Sequence, residues 1–107
     1  MQAEIEAGDE YNWTALHLAA LNGKEAVAAQ LLQARASVTA ADNNGWTPLH
    51  SAAYHGKAQV VDLLLKAKAS PMAVDKSGFT PAQRAEQRGH TDLAARLRQA
   101  EQAPSSM

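Results

Sequence analysis

At 107 residues the chain has room for one domain with a modest core. A hydrophobic share of 46% and a formal net charge of -1 exclude wholesale disorder and any general attraction to nucleic acid. No cysteine is present, which removes disulfides, zinc–thiolate sites and thiol chemistry, and no apolar run approaches the roughly 20 residues that cross a bilayer.

The first residues show no charged stretch followed by an apolar one, so no secretion signal is expected. The chain reads as intracellular and cytoplasmic, with a nuclear location also open. Residues 1–12 hold Glu4, Glu6, Asp9 and Glu10 without a base, whereas 76–101 hold Lys76, Arg84, Arg88, Arg96 and Arg98 against Glu86, Asp92 and Glu101. That polarity could orient a partner at short range, within about 10 Å at ordinary salt.

Adding 33 to Trp13, Thr14, Leu16, His17 and Gly23 gives Trp46, Thr47, Leu49, His50 and Gly56. A second addition carries Thr47, Pro48, Ala52 and Gly56 onto Thr80, Pro81, Ala85 and Gly89. A fixed period of this length marks supersecondary units stacked around one continuous core. The expected organisation is three copies over 9–41, 42–74 and 75–101, with a flexible tail over 102–107. Residues 1–8 align with the closing segments Ala36–Ala40 and Ala69–Ala73, so they read as the end of a partial preceding unit. That unit is either cut from a longer array or vestigial.

The second copy shows the local logic. Asp42-Asn43-Asn44-Gly45 is turn chemistry, with side chains that bond their own backbone and a glycine free to take positive φ. Thr47-Pro48 opens a short helix through about His55, because threonine caps it and proline suits its first position. Gly56 ends that helix. A second one from about Lys57 to Ala67 carries Val60, Val61, Leu63, Leu64 and Leu65, a broad apolar face suited to a sandwiched helix. Extended residues near Ser70–Val74 are expected to lead into the next turn.

Two departures interrupt the register. Arg35 and Lys68 stand where a left-handed glycine is usual after the second helix, at a cost on the order of 1 kcal/mol each or an altered turn. In the third copy Ala82, Gln83, Glu86, Arg96 and Arg98 replace Leu49, His50, Ala53, Leu63 and Leu65. A polar outer side is what the last unit of a stack requires, so the third copy reads as a C-terminal cap.

The sequence Thr47-Pro48-Leu49-His50-Ser51-Ala52, with Thr14-Ala15-Leu16-His17-Leu18-Ala19 before it and Thr80-Pro81-Ala82-Gln83-Arg84-Ala85 after it, resembles the ankyrin-repeat signature. The resemblance covers residues 3–101. It implies an all-α solenoid of helix-turn-helix units joined by β-hairpin turns. It also implies a noncatalytic protein–protein interaction module, in which hairpin tips act as fingers and first helices as a palm. By register the contact positions are Glu10, Tyr11, Trp13, Leu21 and Asn22, then Asn43, Asn44, Trp46, Tyr54 and His55, then Lys76, Ser77, Phe79, Gln87 and Arg88. All five aromatic residues of the chain fall in this set, and Trp13, Trp46 and Phe79 are expected to form a ladder. The architectural reading is that each aromatic packs on the neighbouring finger and stiffens its turn, a role compatible with contact. A structural spacer or terminal scaffold segment without a partner is the alternative function.

Little else carries chemistry. His17 and His50 belong to the signature and are expected to bond local backbone and threonine, while His55 and His90 are expected to be solvated. No histidine pair has ligand spacing on one helix, and no phosphate-binding glycine loop is present. Asp42 and Asp75 recur with the period, which argues for turn architecture over a catalytic dyad. Lys57, Lys66 and Lys68 are too few for phosphate tracking. The expectation is therefore no enzyme, cofactor, metal, nucleic acid, membrane or small-molecule substrate, and a partner that is another protein.

Overall fold

The computed structural model describes residues 12–102, and within them six helices form three consecutive pairs. They are α1 (Ala15–Asn22) and α2 (Glu25–Gln33), α3 (Pro48–Tyr54) and α4 (Ala58–Lys66), and α5 (Pro81–Gln87) and α6 (Thr91–Gln102). Each first helix begins alike. Thr14, Thr47 and Thr80 are extended, and their hydroxyls accept from the N–H of His17, His50 and Gln83, whose side chains return to the threonine N–H. This reciprocal cap satisfies two otherwise orphaned donors, and removing such a cap costs about 1 kcal/mol.

The bend after α3 depends on Gly56. Its φ is +72°, and a Cβ there would lie 2.7 Å from Cε1 of His90. The position needs glycine for backbone freedom and for room. The turns after α2 and α4 keep the left-handed geometry despite their side chains: φ is 69° at Arg35 and 75° at Lys68. The Ala36 and Ala69 N–H groups close these turns on the carbonyls of Leu31 and Leu64, both at 2.9 Å. Segment 70–74 is not extended as expected. It turns at Pro71 and Met72, because the Ser70 hydroxyl accepts from the Met72 N–H at 3.2 Å and competes with an open backbone.

α1 packs on α3 and α3 on α5, α2 lies against α4, and each first helix packs on its own second. Alanines at 19, 20, 52, 53, 82 and 85 are buried between the first helices and allow them close approach. Leu16, Leu49, Leu64 and Leu97 are fully buried, each worth about 1.5–3 kcal/mol relative to exposure. The stacking direction is visible at one register position: Val60 and Leu93 are 1% and 6% exposed, while Val27 in the first pair is 46% exposed.

The far end of the stack is polar. Gln83 and Glu86 are exposed, and Arg98 of α6 donates to Glu86 at 2.5 Å. Two of the expected capping substitutions lie elsewhere. Ala82 is fully buried, because its register is that of the core residues Leu16 and Leu49. Arg96 reaches back to Asp62 of α4 at 3.0 Å, so its charge serves the joint between second helices.

Candidate functional site

The turns between pairs build two fingers with the same internal bonding. The Asp42 N–H donates to the Trp46 carbonyl, and the Gly45 N–H to the Asp42 carbonyl, both at 2.9 Å. One carboxylate oxygen of Asp42 accepts from the N–H groups of Asn44 and Trp46 at 2.8 and 2.9 Å. Asp75 repeats this with Ser77 and Phe79 at 2.9 and 3.0 Å. The fingers are joined where the Lys76 N–H donates to the Asn44 carbonyl at 3.0 Å. Gly45 makes that approach possible, since a Cβ there would stand 2.8 Å from the Lys76 nitrogen. The chain reversals are closed by these bonds, and no β-strand occurs among the described residues.

The second oxygen of each buried aspartate distinguishes the two junctions. At Asp42 it accepts from the indole N–H of Trp13 at 2.8 Å, across from the preceding unit. At Asp75 it is taken by Arg84, through Nε at 2.8 Å and a terminal nitrogen at 2.7 Å. Burial opposes the charge on Asp75, yet the Phe79 N–H, the Arg84 guanidinium and the Ser77 N–H outweigh it and hold the carboxyl below its ordinary range.

Arg84 also organises the rings. Its guanidinium carbon lies 4.9 Å from the centre of Trp46 and 4.6 Å from that of Phe79. Trp46 meets Tyr54 edge-on at 5.1 Å, and Tyr54 meets His55 at the same separation. Arg88 stands 4.8 Å over Tyr54. The result is a continuous run from Phe79 through Arg84, Trp46 and Tyr54 to Arg88. The expected ladder is thus bridged by charge and hydrogen bonding: Trp13 is tied to the next finger through Asp42, and Trp46 to Phe79 through Arg84. Arg84 was not among the positions singled out from the sequence. Its signal is the comparison Leu18, Ser51, Arg84, where only the third copy carries a cation on the palm.

The other anticipated positions are distributed as follows. Leu21 is half-buried, and Asn22 is exposed with its amide donating to the Leu18 carbonyl at 3.0 Å. Asn43 and Asn44 are exposed on the second finger, and Asn43 accepts from the Asn12 amide at 2.7 Å. Lys76, Ser77, Gln87 and Arg88 are exposed, and Gln87 accepts from Arg84 at 3.0 Å. Trp13, Trp46, Tyr54 and Phe79 are half-buried. Glu10 and Tyr11 lie outside the described residues.

The histidines do more than the sequence suggested. Nδ1 of His17 and of His50 accepts the threonine N–H at 3.1 Å, which leaves the proton on Nε2. That nitrogen donates across to the next finger, to the Trp46 carbonyl at 2.7 Å and to the Phe79 carbonyl at 2.9 Å. Each signature histidine therefore latches one unit to the next. Burial pushes the pKa of His50 below its ordinary value, against the Phe79 carbonyl and the charges of Asp75 and Asp42. His55 and His90 are half-buried, not solvated as expected: Nδ1 of His55 bonds the Ser51 carbonyl at 2.9 Å, and the His90 ring fills the space beside Gly56.

Among the described residues no group of three histidine or acidic side chains could hold a metal, and no helix is long and apolar enough to cross a membrane. The family model for ankyrin repeats, in three copies, matches residues 1–75 and 29–105. No curated protein matches the chain.

Proposed function

The chain belongs to the ankyrin-repeat family, whose members are generally protein–protein interaction modules, and from that premise we propose that its palm and fingers bind another protein without catalysing a reaction. The contact set comprises Tyr11, Trp13, Leu21, Asn22, Asn43, Asn44, Trp46, Tyr54, His55, Lys76, Phe79, Gln87 and Arg88, with Arg84 added. The observation that carries this reading is the run from Phe79 to Arg88. Its rings and guanidinium groups are held in place by contacts within the protein while remaining partly open to solvent. A surface ordered beforehand loses little side-chain entropy on docking, and aromatic and arginine side chains dominate binding energy at interfaces. The indole N–H of Trp46 and the hydroxyl of Tyr54 bond to no described residue, so both remain available as donors. We place this activity inside the cell, with no cofactor required.

The spacer reading draws on a different observation. Trp13 spends its N–H on Asp42, and Arg84 its charge on Asp75, which is architectural use of the same edge. A photoreactive side chain installed at Gln87 or Asn22 on the palm, or at Gln59 or Gln99 on the second helices, separates the two. Binding through the palm predicts one common adduct from the first pair and none from the second. Equal or absent capture from both faces would remove the binding reading and leave the spacer.

A further inference from the structure

Every described carboxylate that reaches solvent lies away from the palm. Glu25 is on α2, Asp62 on α4, Asp92 and Glu101 on α6, and Glu86 faces the open end of the stack beside Arg98. Asp42 and Asp75 are buried at the finger bases, with their oxygens occupied. Lys76 and Arg88, by contrast, are exposed on the palm side, and neither forms an ion pair among the described residues. The palm positions also change character along the stack. Leu18 and Leu21 in the first pair give way to Ser51 and Tyr54 in the second, and then to Arg84 and Gln87 in the third.

We propose that this face takes an acidic polypeptide segment, with carboxylates over Arg88 and Lys76 and apolar side chains over Tyr54, Trp46 and Leu18. The inference rests on the protein-binding reading above and adds the chemistry of the partner. The guanidinium carbon of Arg88 stands 4.8 Å from the centre of the Tyr54 ring, a contact that holds the group at the surface, where its planar fork suits paired bonds to a carboxylate. Leu18 is 41% exposed and supplies apolar surface at the other end. A nucleic acid fits less well. Arg84 is already neutralised by Asp75, leaving Lys76 and Arg88 as the unpaired palm cations among the described residues of a chain of net charge -1, whereas phosphate tracking needs several converging bases.

The test uses the whole chain and three labelled peptides of equal length, in which leucine alternates with glutamate, glutamine or lysine. Fluorescence anisotropy is expected to show the glutamate peptide bound about tenfold more tightly than the glutamine one, equivalent to about 1.4 kcal/mol. That preference is expected to fade as salt rises from about 0.1 to 1 M, where the screening length falls from roughly 10 Å to 3 Å. The double variant Lys76→Glu, Arg88→Glu is expected to erase the preference while circular dichroism shows the protein still folded, with only a small loss of melting temperature from the lost Arg88–Tyr54 contact. Lys24→Glu, Lys66→Glu, at the N-cap of α2 and in the last turn of α4, is expected to leave it intact. The proposal is overturned if the peptides rank equally, if none binds, or if both double variants act alike. Tighter binding of a single-stranded oligonucleotide of matched charge would overturn it too. Equal ranking together with weaker binding of all three to Tyr54→Ala would remove the acidic partner yet keep the palm as the interface.

Discussion

Arg84 is the side chain on which the third unit and the ring network both depend, so its truncation should be expensive. In Arg84→Met the carboxylate of Asp75 keeps two backbone donors on one oxygen and loses both guanidinium bonds on the other. Asp75 has 0% of its side chain exposed and Arg84 only 15%, so solvent screens the pair little. Removing one partner of a buried pair costs about 3–5 kcal/mol, and entry of water beside the shorter methionine favours the lower end. Two contacts of guanidinium over ring, about 0.5–1 kcal/mol each, are also lost, and sulfur–aromatic contacts replace part of them. The sum is about 4 kcal/mol. At roughly 4–8 °C per kcal/mol for a domain of this size, the melting temperature should fall by about 16 °C or more. Calorimetry on Arg84→Met, Asp75→Asn and the double variant measures the coupling directly, and about 2 kcal/mol of non-additivity is expected for groups in contact. Trp13→Phe removes a neutral donor from the equivalent aspartate and should cost less, about 1–2 kcal/mol. A loss below 1 kcal/mol for Arg84→Met, or additive single variants, would refute the claim that the ion pair anchors this junction.

Three further outcomes follow from the backbone and the latches. Gly89 has φ +81° with open space around it, so Gly89→Ala should cost about 1 kcal/mol from the backbone alone. Gly56→Ala must also displace the His90 ring and should cost about 1 kcal/mol more; adding His90→Ala should abolish the excess in thermal melts, and equal costs from the start would contradict the steric account. Lys68→Gly should relieve about 1–2 kcal/mol of left-handed strain and lose about 0.4–1 kcal/mol to unfolded-chain entropy, raising stability by about 0.5–1 kcal/mol; a lower melting temperature would show that the turn is unstrained. Acidification should destabilise the protein through His50, whose folded pKa lies below the unfolded value of about 6.5. Between the two values the unfolded chain binds a proton that the folded one rejects, so stability is complete above the unfolded value and declines as pH falls through the folded one. His50→Gln should shrink the loss between pH 7.5 and 5.5, because Gln83 already fills the same cap in the third unit; an unchanged slope would exclude this histidine as its source.

The fold was legible because its main constraints repeat. Threonine caps, buried alanines, signature histidines and bend glycines recur at a fixed interval, and the capping and bending they do takes place within a few residues of each position. What the sequence hid are contacts between units. Nothing local reveals that Nε2 of His50 reaches the Phe79 carbonyl, or that Arg84 rather than an indole completes Asp75. The two aspartates looked equivalent because their own turns are equivalent; they differ only in what arrives from outside. Arg96 was misplaced for the same reason. Its register with Leu63 is correct, but a long charged side chain extends to Asp62 instead of staying at the end face.

Departures from the period fall into two kinds, and they mark different surfaces. At 20, 53 and 86 and at 32, 65 and 98 the first two copies agree on an apolar residue and the third is charged, while at 17, 50 and 83 two histidines give way to glutamine. Gln83, Glu86 and Arg98 are the side chains at the open end of the stack, where no further unit covers them among the described residues. At 18, 51 and 84, at 21, 54 and 87, and at 22, 55 and 88, all three copies differ, and each side chain answers to its own junction: Ser51 is buried, Tyr54 packs on Trp46 and Arg84 pairs with Asp75. The outer side of the second helices varies as freely at 26, 59 and 92, but with alanine, glutamine and aspartate. On the palm the variation supplies a phenol, an imidazole and two guanidinium groups, chemistry that a merely solvated face does not require. Variation that keeps introducing rings and guanidinium groups along one face supports the proposal that recognition lies on the palm and support on the second helices.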